Sequence, residues 1–268
     1  VLGALLDVSE RMPAWLLCVV VLVVLLLVVV AGVMVSVMRT QLWSPPAPPP
    51  PPLPRYKKVY GRATERFDIE VLSWAPRLVL VHNFLNADEC EHLIELGKPK
   101  LSPSMVVSNE AKNVKSESRS SSGTFFMQPT ATILDIKQRI ARLTGLPPEN
   151  QEAFYLLRYE EGQQYKTHPD YFQTDSEHTR KAVRRSGGNR AATVFMYLDG
   201  PDEGGATQFP RINKKVPPTK GAAAFWWNEH TNGTVDPLSW HAGMPVIKGV
   251  KFGMTSWIRE RRFGSSLD

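Results

Sequence analysis

Cysteine is nearly absent: two residues, Cys18 and Cys90, in a chain of 268. That excludes a disulfide-dense secreted scaffold and any four-cysteine zinc site. Charge is modest, at 22% of residues against 43% hydrophobic ones, a balance that excludes wholesale disorder. The net charge of +6 and pI near 9.3 raise the question of nucleic acid. No recognised nucleic-acid motif accompanies the basic residues, so nucleic acid is not expected as a partner.

One absence is local. Between Arg11 and Arg39 run 27 residues without a single charge. A spanning helix needs about 20 apolar residues, and a cleaved signal peptide has only about 7–15. Trp15 and Trp43 flank the run about 42 Å apart along a helix, close to full bilayer thickness. Residues 15–43 therefore read as an uncleaved transmembrane signal-anchor behind a short flank, 1–14. Residues 44–58 form a linker, with eight prolines in the ten positions 45–54. Polyproline II makes those ten a stiff spacer of about 31 Å, read as a stalk or as a docking site for a proline-binding module. Arg39, Arg55, Lys57 and Lys58 outnumber Arg11 beside the run, so flanking charge alone holds the C-terminal bulk in the cytosol.

The whole excess charge belongs to residues 55–268, with 30 basic against 24 acidic side chains. Neither a second linker nor a repeat interrupts this stretch, so 59–268 reads as one domain. Leu78–Phe84 is strand-like. Asn86 is placed to cap a helix over 88–98, and Ile133, Ile136, Ile140 and Leu143 give a second helix over 131–143. Short strands follow at 154–160, 190–199, 206–209, 221–228 and 252–260, rich in aromatic and β-branched residues. The expected class is mainly β with supporting helices (α+β), a sandwich or jelly roll preceded by one transmembrane helix.

Of six histidines, one opens a His-x-Asp triplet, His168-Pro169-Asp170. Non-haem iron(II) oxygenases hold the metal with two histidines and one carboxylate, leaving the opposite face open. Residues i and i+2 of a strand share a side, so the triplet delivers two ligands together. His178, His230 and His241 are candidates for the third. Only His241 has a basic residue, Lys251, ten positions later, where a cation is needed to receive an acidic co-substrate.

Several segments agree in order and spacing with one family: SWAPRLVLVHNFL (73–85), RSSSG (119–123), LLRYEEGQQYKTHPDYF (156–172), RAATVFMYL (190–198), GGATQFP (204–210) and SWHAGMPVIKGVKFGMTSWI (239–258). They resemble the 2-oxoglutarate- and iron(II)-dependent prolyl 4-hydroxylases, in particular the single-chain membrane-anchored type of plants and algae. The resemblance implies a double-stranded β-helix (jelly roll) core, with Fe2+ held by His168, Asp170 and His241. It also implies 2-oxoglutarate on Lys251, Tyr159 and Thr193, and a proline-rich peptide or protein against Arg119, Tyr165 and Trp257. Ascorbate is the expected reductant for stray oxidised iron. Pro169, Ala206 and Met244 depart from the family pattern without touching a metal ligand.

The basic segment 174–190, with glycines 187 and 188, falls where family members carry a flexible substrate lid. By the same resemblance the protein is a single-pass type II protein of the endoplasmic reticulum or Golgi membrane, its enzyme in the lumen, against the flanking-charge count. Asn232-Gly233-Thr234 is a glycosylation sequon compatible with a lumen. Two other functions stay open: the same oxygenase chemistry on another residue such as lysine, and a non-catalytic membrane module that binds polyproline.

Overall fold

Period-two alternation sets the architecture. The computed structural model describes residues 66–104 and 118–264, with the shorter pieces 13, 18–19, 22–28, 30, 55–59, 106–107 and 113–114. The chain divides into two units, 1–52 and 53–268. In the first, the described pieces 18–19, 22–28 and 30 are helical, with exposed apolar side chains. Among the described residues no helix is long and apolar enough to cross a membrane. Most of the expected anchor at 15–43, with Trp15 and Trp43, and the proline run 45–54 lie outside the described residues.

The second unit opens with strands β1 (Arg55–Val59), β2 (Arg66–Trp74) and β3 (Arg77–His82), then helix α1 (Ala87–Gly97). Short strands β4 (Ser102–Pro103), β5 (Val106–Val107), β6 (Asn113–Val114) and β7 (Ser122–Phe125) lead to α2 (Ala131–Thr144). Next come β8 (Tyr155–Tyr159), β9 (Tyr165–His168), α3 (Glu177–Arg185) and β10 (Arg190–Asp199). The rest is all strand and 3₁₀ turn: β11 (Glu203–Gly204), β12 (Thr207–Phe209), β13 (Lys214–Val216), β14 (Ala223–Trp227), β15 (His241–Gly243), β16 (Val246–Lys248) and β17 (Lys251–Arg259). The strand expected at Leu78–Phe84 thus has β2 beside it, whose Phe67, Ile69 and Val71 alternate into the interior.

A nine-stranded sheet runs β1-β2-β3-β14-β10-β17-β8-β7-β4, and a four-stranded sheet runs β13-β12-β15-β9. Every pairing among the described residues is antiparallel. The large sheet is covered on both faces, so β10 is buried almost throughout and reads as a continuous apolar run. Its Ala192, Val194, Met196 and Leu198 join Leu93, Ile133, Ile136 and Ile140 in a helix-side core. Its Phe195 and Tyr197 point the other way, into a second core with Phe209 and Val216 of the small sheet. The two layers of the expected mainly-β fold are therefore present, with α1 and α2 as supports.

Both helices start where side-chain caps allow. Asn86 and Glu89 form a reciprocal capping box on α1, and Thr130 caps α2, which stops at Gly145 in the left-handed region. Glu89 also receives two bonds from Arg139, at 2.9 and 2.7 Å, tying α2 to α1. Cys90 is buried on α1, and burial pushes its thiol up to about 11.

Candidate active site

Strand pairing brings the three chosen ligands together. His241 opens β15 directly opposite His168, the last residue of β9. Asp170, two residues on, turns back to the same point. His168 Nε2 lies 3.8 Å from Asp170 Oδ1, and His241 Nε2 lies 3.6 Å from Asp170 Oδ2. One ligand atom from each of the three falls within 4.8 Å of the others, the sole such cluster among the described residues. His178 and His230 are not part of it.

The donor set fits a divalent metal. Each Nδ1 faces a backbone carbonyl, Lys166 at 2.8 Å and Ser239 at 3.1 Å. A carbonyl only accepts, so each Nδ1 carries the proton and each Nε2 presents its lone pair to the centre. Burial, then His241 beside it, pushes His168 down to about 3, so its imidazole is neutral at physiological pH. Burial opposes ionisation of Asp170, but positive charge on the histidine rings when protonated, the Arg190 guanidinium and the Thr193 hydroxyl outweigh it and hold the carboxyl below its usual range.

The cluster lies in a cavity of about 1170 Å3 that also contains Lys251 and Tyr159. Lys251 starts β17 opposite Tyr159 of β8 and is 2% exposed. Its ammonium donates to the Gly205 carbonyl at 2.7 Å and is ringed by Tyr159, Phe195 and Tyr197, 5.0–5.5 Å away. No carboxylate side chain pairs with it among the described residues, and burial lowers it to about 7. A buried cation without an anionic partner is a receptor for an anion.

The remaining residues divide. Arg119, Tyr165 and Trp257 all line the cavity, as expected of a peptide wall. Tyr165 stacks on the His168 ring at 3.5 Å, and the Arg119 guanidinium lies 4.7 Å over Tyr165. Trp257 Nε1 is buried without an acceptor. Thr193 is placed differently from its expected role on 2-oxoglutarate. It does not line the cavity, and its hydroxyl donates to Asp170 Oδ2 at 2.8 Å. Thr207 of β12 does line the cavity, and its Oγ1 accepts from the Tyr197 hydroxyl at 2.9 Å. Asn232 sits in an exposed turn, its Oδ1 accepting from the Thr234 hydroxyl at 2.7 Å.

Besides Thr207, the sequence did not point to Arg190 or Glu152 as parts of the site. Arg190 reaches the cavity wall with its guanidinium 3.8 Å over the Trp257 ring, held there by two bonds to Glu152 at 2.8 and 2.9 Å. Segment 174–190 is also not a loop. Ser176 caps α3, whose Thr179, Ala182 and Val183 form one wall of the cavity while its basic residues face outward.

Two sheets around a two-histidine, one-carboxylate cluster with a buried cation nearby define a 2-oxoglutarate- and iron(II)-dependent oxygenase. Residues 154–259 match the model of the 2OG-Fe(II) oxygenase superfamily. Probable prolyl 4-hydroxylase 6 of Arabidopsis thaliana is 42% identical over 73% of this chain and 73% of its own length. Prolyl 4-hydroxylase 5 of the same plant is 38% identical over 73% of this chain and 72% of its own. Among solved structures, the viral collagen prolyl hydroxylase of Paramecium Bursaria Chlorella virus-1, as its 2-oxoglutarate complex, aligns with a TM-score of 0.53 at 28% identity. That alignment covers 68% of this chain and 94% of the viral one. The chain belongs to the prolyl 4-hydroxylase family.

Proposed function

We infer that this protein hydroxylates peptidyl proline at C4, consuming dioxygen and 2-oxoglutarate and releasing succinate and carbon dioxide. The observation that carries the reading is one cavity holding the His168–Asp170–His241 cluster together with the unpaired, buried Lys251. His168, Asp170 and His241 are the residues that would hold iron(II). Lys251 would take the distal carboxylate of 2-oxoglutarate, with Tyr159 and Thr207 beside it. Bound iron and co-substrate supply the oxidising chemistry, and the protein supplies orientation and a dry cavity. Arg119, Tyr165, Trp257 and Arg190 present flat rings and guanidinium groups, surfaces suited to proline rings and peptide carbonyls. Ascorbate would keep the metal reduced.

The membrane-anchored reading rests on the uncharged run 12–38 and the proline stretch 45–54. In it, a type II anchor holds the catalytic unit off an endoplasmic reticulum or Golgi membrane, on the lumenal side. A glycosidase-sensitive mass shift that disappears in Asn232→Gln tests the lumenal side. A protein that stays in the supernatant after membrane pelleting contradicts the anchor.

Activity is tested by iron(II)-dependent succinate release with a panel of proline-rich and lysine-containing peptides. Turnover coupled to proline peptides is expected. Coupling only to lysine peptides would move the protein to the other substrate class, and no coupled turnover on either would remove the enzymatic reading.

A further inference from the structure

Behind Asp170 lies a hydrogen-bond chain whose direction is fixed by its last member. Trp226 Nε1 approaches Asn228 Oδ1 at 3.0 Å, and an indole nitrogen can only donate. That sets the Asn228 amide with its Nδ2 toward Thr193, to which it donates at 3.0 Å. The Thr193 oxygen is thereby used as an acceptor, and its single proton goes to Asp170 Oδ2 at 2.8 Å. Trp226, Asn228 and Thr193 are each fully buried. The backbone leaves them little freedom. Thr193 pairs with Trp226 on one side and Trp257 on the other, at the centre of the large sheet. The Asn228 backbone N–H donates to the Ala191 carbonyl at 2.8 Å.

The two oxygens of Asp170 are therefore not equivalent. Both face a histidine, Oδ2 facing His241 at 3.6 Å and Oδ1 facing His168 at 3.8 Å, but Oδ2 also accepts the Thr193 proton, while Oδ1 accepts no hydrogen bond among the described residues. We propose that Thr193, oriented by Asn228 and Trp226, is a positioning residue that keeps Asp170 a one-oxygen ligand through Oδ1. A carboxylate free to turn would grip a metal with both oxygens and occupy a position that a co-substrate needs. This rests on the reading of His168, Asp170 and His241 as metal ligands. It assigns Thr193 to the metal's geometry rather than to contact with 2-oxoglutarate.

The test is titration of the full chain with Co2+ under anaerobic conditions, read by calorimetry and by the visible absorption of the bound ion, beside thermal melting of the metal-free protein. Thr193→Val keeps the shape and removes the proton. Its Co2+ affinity is expected to fall by about 10–100-fold, the usual cost of losing a ligand's outer partner, with a changed absorption band. Thr193→Ser, which restores the hydroxyl, is expected to recover both. Thr193→Val with wild-type affinity and spectrum overturns the inference while leaving the metal reading intact. A wild-type chain that binds no Co2+, or binds it equally well as His168→Ala, overturns both. If Thr193→Val fails to fold, Asn228→Ala takes its place. It leaves the hydroxyl free to turn away from Asp170, and an unaltered Co2+ spectrum there counts against the chain.

Discussion

Arg190 lies over Trp257, 3.8 Å from ring centroid to guanidinium carbon, and Glu152 holds it there. Glu152 also receives Arg259 at 2.6 Å, so one buried carboxylate fixes two guanidinium groups at the cavity wall. Burial opposes its ionisation, but Arg190 and Arg259 more than offset that and hold its carboxyl below the usual range.

Glu152→Gln leaves two buried cations short of their anion. Breaking a buried pair costs about 3–5 kcal/mol, so a large fall in melting temperature is expected. Peptide KM should rise at least about tenfold as Arg190 loses its hold on Trp257, while 2-oxoglutarate affinity, governed elsewhere, stays within about threefold. Glu152 contributes its stability above the carboxyl's ordinary value of 4.5 and loses it only as pH falls through its depressed one. The melting-temperature gap between wild type and variant should therefore be wide at pH 7 and narrow on acidification. Equal gaps at pH 7 and pH 3 would contradict this assignment.

What sequence could and could not show follows from distance along the chain. His168 and Asp170 share a triplet, and His241 is marked out by its spacing to Lys251, so the metal cluster was legible. The Glu152–Arg190 pair spans 38 positions and leaves no local pattern. Thr193 has the right parity, since odd-numbered residues of β10 face the site, but parity does not tell an Asp170 partner from a cavity wall. Thr207 sits on a three-residue strand whose neighbours, β13 and β15, come from later in the chain. Helix α3 was hidden because charge dominates it, with only Thr179 and Val183 buried.

Glycines 187 and 188, read from sequence as a sign of mobility, serve close packing. Gly187 has φ +89°, and a Cβ there would lie 2.3 Å from the Arg262 carbonyl oxygen. The Arg261 amide donates to the Gly187 carbonyl at 2.9 Å, so α3 is tied to the end of β17 at this point. Gly187→Ala combines a disfavoured backbone with a backbone clash, and a loss of at least about 1–3 kcal/mol is expected. Peptide KM should rise with it, because the α3 wall shifts, while metal affinity holds. A variant as stable as wild type would restore the mobile-lid reading.

Phe125 is 45% exposed, yet its ring packs 4.3 Å from Tyr155 and 6.4 Å from Trp257 along the cavity. Met127, 78% exposed, lines the same edge. Apolar side chains left open beside a buried aromatic wall are suited to a ligand that covers them. Phe125→Ala should raise peptide KM several-fold, about 1 kcal/mol of lost contact, with kcat and the melting temperature nearly unchanged. A melting-temperature loss without any KM effect would make Phe125 a packing residue only.

Lys251 carries opposing demands. Burial lowers it from 10.5 to about 7, and below that value the folded protein holds an ammonium with no carboxylate beside it. Between pH 7 and 10.5 the unfolded chain keeps a proton that the folded one has released, so this group makes stability rise with pH across that window. Lys251→Met removes the penalty. The metal-free variant should melt higher than wild type at pH 6, with the gap closing toward pH 9. The same change should abolish 2-oxoglutarate binding, since the distal carboxylate loses its cation. In the wild type above pH 7, binding must first restore the proton, so affinity should fall by up to about tenfold per pH unit, with proton uptake visible by calorimetry in buffers of different ionisation enthalpy. Tight 2-oxoglutarate binding at pH 8 without proton uptake would show that the ammonium is already charged in the empty cavity. The stabilisation expected of Lys251→Met would then shrink with it, because both effects arise from the same unpaired, desolvated charge.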